Sequence, residues 1–217
     1  MQDRYFNTLK RIGEFDLLAK QKKIALAKRF RGLLPVVIDV ETTGLNPATD
    51  GLLEIAAVTI GMDEKGKLYR DQTYSYHVEA FPGANRDPEA LAVTGIDPDA
   101  PFRYAIPEEQ ALKRMYAKVT LSLQQTQCHR AVLVGHNAWF DLHFMLAASK
   151  RSHIHSTPFH SFTSFDTATL GGAALGETVL ARALRTAGIP FDISQAHSAA
   201  YDAERTAELF CYILNHF

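Results

Sequence analysis

Asp39 and Glu41 stand two residues apart at the end of the apolar run Leu34-Pro-Val-Val-Ile-Asp-Val-Glu41. An extended strand sends side chains i and i+2 to the same face, so the two carboxylates sit side by side. Carboxylates that close resist joint ionisation unless a cation neutralises them. Oxygen-only donors of this kind suit Mg²⁺ or Mn²⁺ rather than Zn²⁺. By itself, Asp-X-Glu is also what an ordinary surface strand end carries. Asp141 closes the word Gly135-His-Asn-Ala-Trp-Phe-Asp141, just behind the apolar run Ala131-Val-Leu-Val134. Open α/β sheets bind ligands at the carboxyl ends of their strands, which would bring Asp141 to the first pair. An aspartate in the first turn of a helix, complementing the helix dipole, explains it equally well in isolation. His197 precedes Asp202 by five residues in His-Ser-Ala-Ala-Tyr-Asp. A loop histidine beside a bound water can take its proton near neutral pH.

The elements that must position these groups are readable from apolar periodicity. Residues 34–41 form a continuous apolar run, as in a strand covered on both faces. Thr43-Gly-Leu-Asn-Pro47 reads as a turn, Leu52 to Ile60 as a second strand, and the alternating Gln72 to Val78 as a third. Pro88 to Val93 is a short helix stopped at Gly95. Pro107-Glu-Glu opens a longer helix, because proline suits the first turn and acids suit the positive helix end. A strand at 131–134 and a helix from about Ala138 to Ser149 follow. Residues 150–165 are polar and histidine-rich, and read as a loop. A helix from Thr178 to Ala187 ends at Gly188, and the last helix starts near Ala199. The pattern is an α/β layered domain with a mixed sheet.

Length and composition bound the rest. The chain has 217 residues and 47% hydrophobic content, ordinary for one packed domain. Cys128 and Cys211 are far apart and in no ligand spacing. That argues for a reducing cytoplasm and against a disulfide scaffold. No stretch reaches the ~20 apolar residues of a membrane span. Net charge is −1, yet residues 1–31 hold nine basic side chains against Asp3, Glu14 and Asp16. Residues 1–30 are therefore expected to form a basic, helical arm suited to an anionic partner, ahead of a domain at 31–217. His153, His155 and His160 lack an acid or cysteine partner in a zinc spacing and read as a solvated loop. Asp166 reads as structural.

Considered together, Asp-Val-Glu-Thr-Thr-Gly, His-Asn-Ala-Trp-Phe-Asp and His-Ser-Ala-Ala-Tyr-Asp-Ala occur in order. They resemble the three motifs of the DnaQ-like, DEDDh exonucleases, whose fold is a ribonuclease H-like mixed central sheet flanked by helices. A histidine five residues before the last aspartate marks the DEDDh type. Further words are similar to those of the ribonuclease T family: Arg31-Gly-Leu-Leu-Pro-Val-Val-Ile-Asp-Val-Glu-Thr, Gly83-Ala-Asn, Pro88-Glu-Ala-Leu-Ala, Gly95-Ile-Asp-Pro, Pro158-Phe-His, Thr163-Ser-Phe-Asp-Thr-Ala and Ala196-His-Ser-Ala. The likeness runs from about Lys28 to Asn215.

That resemblance implies a cytoplasmic homodimeric 3′→5′ exoribonuclease. It would trim the 3′ ends of tRNA, rRNA precursors and other stable RNAs, degrade single-stranded DNA, and release nucleoside 5′-monophosphates. It implies two Mg²⁺ ions, with Mn²⁺ as a substitute. Asp39 would bridge both ions, Glu41 and Asp202 would complete the ion on the nucleophile side, and Asp141 would hold the other. His197 would be the general base. Phe140 and Phe162 match positions that stack terminal bases, and Glu89 matches an acid that contacts them. Leu45 and Val93 stand at two further stacking positions without an aromatic face, which bears on the family's dislike of a 3′-terminal cytosine. Arg29, Arg31 and Arg130 match a patch that binds RNA feeding the partner subunit's site. Gln124 and His155 stand where lysines are expected, a loss that Lys20, Lys22 and Lys23 of the arm would offset. A proofreading subunit, an oligoribonuclease and a non-catalytic nucleic-acid-binding protein are the alternatives. The words between the motifs weigh against the first two. The full set of acids and histidine weighs against the third.

Overall fold

A computed structural model describes residues 26–217; the expected arm at 1–30 therefore lies mostly outside the described residues. Six strands make one sheet: β1 (Leu33–Thr42), β2 (Leu52–Met62), β3 (Leu68–Glu79), β4 (Ile106–Pro107), β5 (Arg130–Gly135) and β6 (Phe159–Asp166). Their order is β4-β3-β2-β1-β5-β6. β1, β2 and β3 pair antiparallel, whereas β5 joins β1, and β6 joins β5, in parallel. β1 and β2 are buried along nearly their whole length, as their unbroken apolar runs demand of central strands.

The helices are α1 (Pro88–Thr94), α2 (Glu108–Thr126), α3 (Trp139–Arg151), α4 (Thr167–Leu175), α5 (Leu180–Thr186) and α6 (Ala199–His216). α2 and α3 touch each other and the sheet; α6 runs across β1, β2 and β3 and contacts α4 and α5. The central strands are covered on both faces as a result. The main core gathers Ile38, Leu52, Met115, Leu133, Phe144 and Phe210, all closed to solvent. α6 is also pinned by polar contacts: Glu204 pairs with Arg70 and accepts from Thr73 Oγ1 at 2.8 Å, and Asn215 exchanges two 2.9 Å bonds with the backbone of Leu68.

Three elements differ from the expectation. The segment read as a polar loop over 150–165 becomes strand from Phe159 onward. It is an edge strand with a single parallel partner and is only partly covered, so it lacks the apolar run by which buried strands announce themselves. His160 lies on it, and its Nδ1 faces the backbone N–H of Thr163 at 3.1 Å. β4 is only two residues long. α4, rich in glycine, has weak intrinsic helix preference; it is started by Asp166, whose carboxylate accepts from Ala168 N at 2.8 Å and Thr169 N at 3.3 Å.

Candidate active site

The carboxyl ends of β1 and β5 and the first turns of α3 and α6 meet at one place. Asp39 and Glu41 project from β1; Glu41 is buried and Asp39 half-buried. Asp141 enters from the first turn of α3, and its Oδ1 accepts from Val40 N at 3.1 Å, which ties that helix to β1. The turn before α3 is tight: a Cβ on Gly135 would come within 2.9 Å of Ala138 Cα and 3.1 Å of Asp141 Oδ2, so only glycine lets the carboxylate approach. Asp202 sits in the first turn of α6. Its Oδ2 accepts from His197 N at 2.8 Å, holding the loop in which His197 adopts a φ of 65°, a conformation uncommon for a side-chain-bearing residue. Ligand atoms of Glu41, His197 and Asp202 all lie within 4.8 Å of one another.

Electrostatics bind Asp39 and Asp141 to the same cluster. Burial, followed by Asp141, Glu41, Asp202 and Glu54, raises Asp39 well above the usual carboxylate range. Burial first, and then Asp202, Glu54 and Asp141, pushes Glu41 up to about 8. Asp141 is pushed up to about 8, chiefly by burial and against the stabilising bond from Val40. Asp202 is raised as well, again chiefly by burial. Acids whose ionised forms are disfavoured by burial and by one another are suited to a cation that neutralises them. A second observation agrees: Asp202 Oδ1 is buried without a hydrogen-bond partner, although buried carboxylate oxygens are almost always satisfied. The donor set is all oxygen apart from the histidine, and it fits Mg²⁺ or Mn²⁺.

A family model described as exonuclease, RNase T, matches residues 36–210. Ribonuclease T of Enterobacter sp. (strain 638) is 57% identical over 190 residues, covering 88% of this chain and 85% of that protein. Ribonuclease T of Escherichia coli (strain K12) is 56% identical over 190 residues, covering 88% of each. The chain belongs to the ribonuclease T exonuclease family. Its fold is shared with a full-length 3′-exonuclease (TM-score 0.66, 18% identity, 84% of this chain and 81% of that one). It is shared too with E. coli exonuclease I in complex with a dT13 oligonucleotide (TM-score 0.64, 19% identity, 83% of this chain and 41% of that one).

Around this ribonuclease T-family centre lies an exposed rim. The loop after β1 carries Leu45, 76% exposed, and α1 carries the exposed Glu89 and Val93, the latter 59% exposed. Loop and helix are stitched together: Thr43 Oγ1 donates to Asn85 O at 2.5 Å, Asp87 N to Thr43 O at 2.8 Å, and Asp50 accepts from Asn46 N, Thr49 Oγ1 and Asn85 Nδ2. Phe162 on β6 is 80% exposed and meets the edge of His160. Phe140 is different: it is half-buried and its ring lies 4.8 Å from that of Phe144, against the main core. Arg31 and Arg130 are exposed at the opposite, amino-terminal ends of β1 and β5. Arg29 spends two of its donors internally, on Gly66 O at 2.5 Å and Leu214 O at 2.7 Å.

Two positioning residues lie outside the three motifs that carry the candidate acids and histidine. Glu54, on β2 directly opposite Glu41, accepts from Ala199 N at 3.1 Å and pairs with His77 at 3.0 Å. It thus caps α6, whose own Ser198 supplies no side-chain cap. The signal was there: a lone acid inside Leu52-Leu-Glu-Ile-Ala-Ala-Val. Asp166, read as structural, accepts from Asn137 N at 3.3 Å and Ala138 N at 2.9 Å, and so holds the turn that presents Asp141.

Proposed function

We propose that this 3′-exonuclease is a metal-dependent 3′→5′ exoribonuclease that trims tRNA and other stable RNAs, also accepts single-stranded DNA, and works as a cytoplasmic homodimer. The observation that carries the metal dependence is the buried, unpartnered Asp202 Oδ1 within a cluster of acids whose pKa values burial and one another's charge raise. In this reading Asp39, Glu41, Asp141 and Asp202 hold two Mg²⁺ ions, for which Mn²⁺ can substitute. Bound there, such ions supply Lewis acidity toward the scissile phosphate and its leaving oxygen. His197, exposed and within 4.8 Å of Glu41 and Asp202, takes the proton from the attacking water. The water oxygen bonds to phosphorus, the P–O3′ bond breaks, and a nucleoside 5′-monophosphate leaves.

Phe162, Phe140, Glu89, Leu45 and Val93 contact the terminal bases in this reading. Strand geometry supports the dimer. Arg31 lies in the turn just before β1 and Arg130 opens β5, both at the ends away from the acids; from Leu33 to Asp39 alone β1 spans about 20 Å at about 3.3 Å per residue. An RNA bound at Arg31 and Arg130 is thus well placed to feed a partner's site rather than its own. Ribonuclease T relatives at 54–57% identity support RNA as substrate. Among the described residues no helix is long and apolar enough to cross a membrane.

The test is a pair of 5′-labelled and 3′-labelled oligonucleotides, RNA and DNA, with Mg²⁺ or EDTA. Stepwise shortening of the 5′-labelled strand that EDTA abolishes is expected; internal cuts would overturn the reading. Removing residues 1–27 and measuring RNA affinity against salt tests the arm, and an unchanged slope removes it from RNA binding.

A further inference from the structure

The segment that leads to His197 has little apolar anchorage. Ile193, Ser194, Gln195 and His197 are all exposed. Phe191, just before them, packs against the smaller core that holds Leu184 of α5 and Leu209 of α6. Hydrogen bonds must therefore fix where the imidazole stands. Asp192 opens a single 3₁₀ turn, Ile193–Gln195. Its carboxylate accepts from Ser194 N at 2.9 Å, Ser194 Oγ at 2.7 Å and Gln195 Nε2 at 3.0 Å, and its carbonyl accepts from Gln195 N at 3.1 Å. Ala196 N closes the turn on Ile193 O at 3.3 Å, and His197 follows directly. Tied internally in this way, the turn is placed by what holds its two ends.

Consecutive residues of α6 hold both. Asp192 N donates to the Tyr201 hydroxyl oxygen at 2.6 Å, and His197 N donates to Asp202 Oδ2 at 2.8 Å. Tyr201 is itself braced. Its ring lies 5.7 Å from that of Phe191. Arg205 stands four residues on, hence on the same helix face; its guanidinium carbon is 5.3 Å from the Tyr201 ring centroid, and its Nη1 donates to Pro190 O at 3.3 Å. Adjacent helix residues point about 100° apart, so the segment is fastened to two sides of α6. The second fastening removes the swing that one bond at His197 would allow. We propose that Tyr201 is a positioning residue for His197: its hydroxyl, together with Asp202, sets residues 192–197 so that the imidazole stays within reach of Glu41 and Asp202. The proposal rests on the reading of His197 as the base. Tyr201 touches no reacting group in it and acts through the backbone of Asp192.

Tyr201→Phe keeps the ring contacts and removes the acceptor alone. In the full chain, with Mg²⁺ and single-stranded RNA, it should lower kcat roughly 3- to 30-fold. KM should stay within about 2-fold, because the interaction lost is one that serves the chemical step. The decisive arm is a double-mutant cycle. Once His197→Ala has removed the base, adding Tyr201→Phe should cost nothing further, whereas a residue that merely supports the fold would multiply the two losses. A second measurement is independent of turnover. The imidazole signal of His197 in the NMR spectrum, identified by its disappearance in His197→Ala, should move or broaden in Tyr201→Phe. A wild-type kcat in Tyr201→Phe overturns the proposal, and so do losses that multiply in the double variant. Near-normal turnover in His197→Ala would instead sink the base reading; the NMR signal would still judge the fastening, and an unchanged signal in Tyr201→Phe would reject it.

Discussion

The floor of the site and its rim are built on different terms. Each acid of the floor except Asp39 has a named tether or a close partner: Asp141 is tied to Val40, Asp202 to the backbone of His197, and Glu41 lies opposite Glu54, which caps α6. All of them lie where burial holds protons on carboxylates. The rim side chains Leu45, Val93 and Phe162 are open to solvent, Phe162 meeting the edge of His160. A floor that must stabilise transition-state charge needs preorganisation, since small misplacements there are costly. In the function proposed above, a rim that meets base after base needs faces that any base can use. Substitution is therefore expected to be felt steeply in the floor and gradually in the rim, where Leu45 and Val93 stand exposed.

That contrast can be broken in four ways. The largest expected effect is His197→Ala, which should lower kcat by about 10²- to 10⁴-fold while calorimetric Mg²⁺ binding persists; near-normal turnover would remove His197 as the base. Next comes Glu54→Ala. It strips the cap from Ala199 N and shifts the turn carrying Asp202, for an expected kcat loss of up to about 10²-fold. Glu54→Gln keeps an acceptor oxygen and should recover most of that turnover; equal losses in both variants would show that charge, not capping, matters.

The rim comes third. Leu45→Phe with Val93→Phe adds two ring faces, and should alter KM by roughly 5- to 150-fold with little change in kcat. Comparing substrates that end in C or A reads any new discrimination, and a dominant kcat effect would merge rim with floor. The smallest effect is on stability. Glu41 rises from 4.5 to about 8 on folding. Its contribution is therefore whole below about pH 4.5 and is lost as pH climbs through about 8. The melting temperature of EDTA-treated protein should fall across that window and flatten when Mg²⁺ neutralises the acids. The same fall with and without Mg²⁺ would deny that the acids face a metal.

Legibility followed burial. β1, β2 and α6 were plain because fully covered strands and a two-sided helix leave strong apolar patterns. β6 was missed because one free edge and partial exposure erase the pattern, and α4 because Asp166, not its own glycine-rich sequence, starts it. The candidate acids were visible through their order and local words. Their partners Glu54 and His77 were not, since capping at a distance of 145 residues leaves no local spacing.

By itself the sequence determined which chemistry is available: oxygen ligands on three segments, a loop histidine, and the family words around them. Strand pleating placed Asp39 and Glu41 on one face before any tertiary contact was known. Only the tertiary structure decided which groups meet, because β5 joins β1 in parallel and α6 is capped from β2. It also decided which of the matched aromatics is open, since Phe162 lies on an edge strand while Phe140 leans into the core. Periodicity tells a residue which face it is on; it does not say what packs against that face.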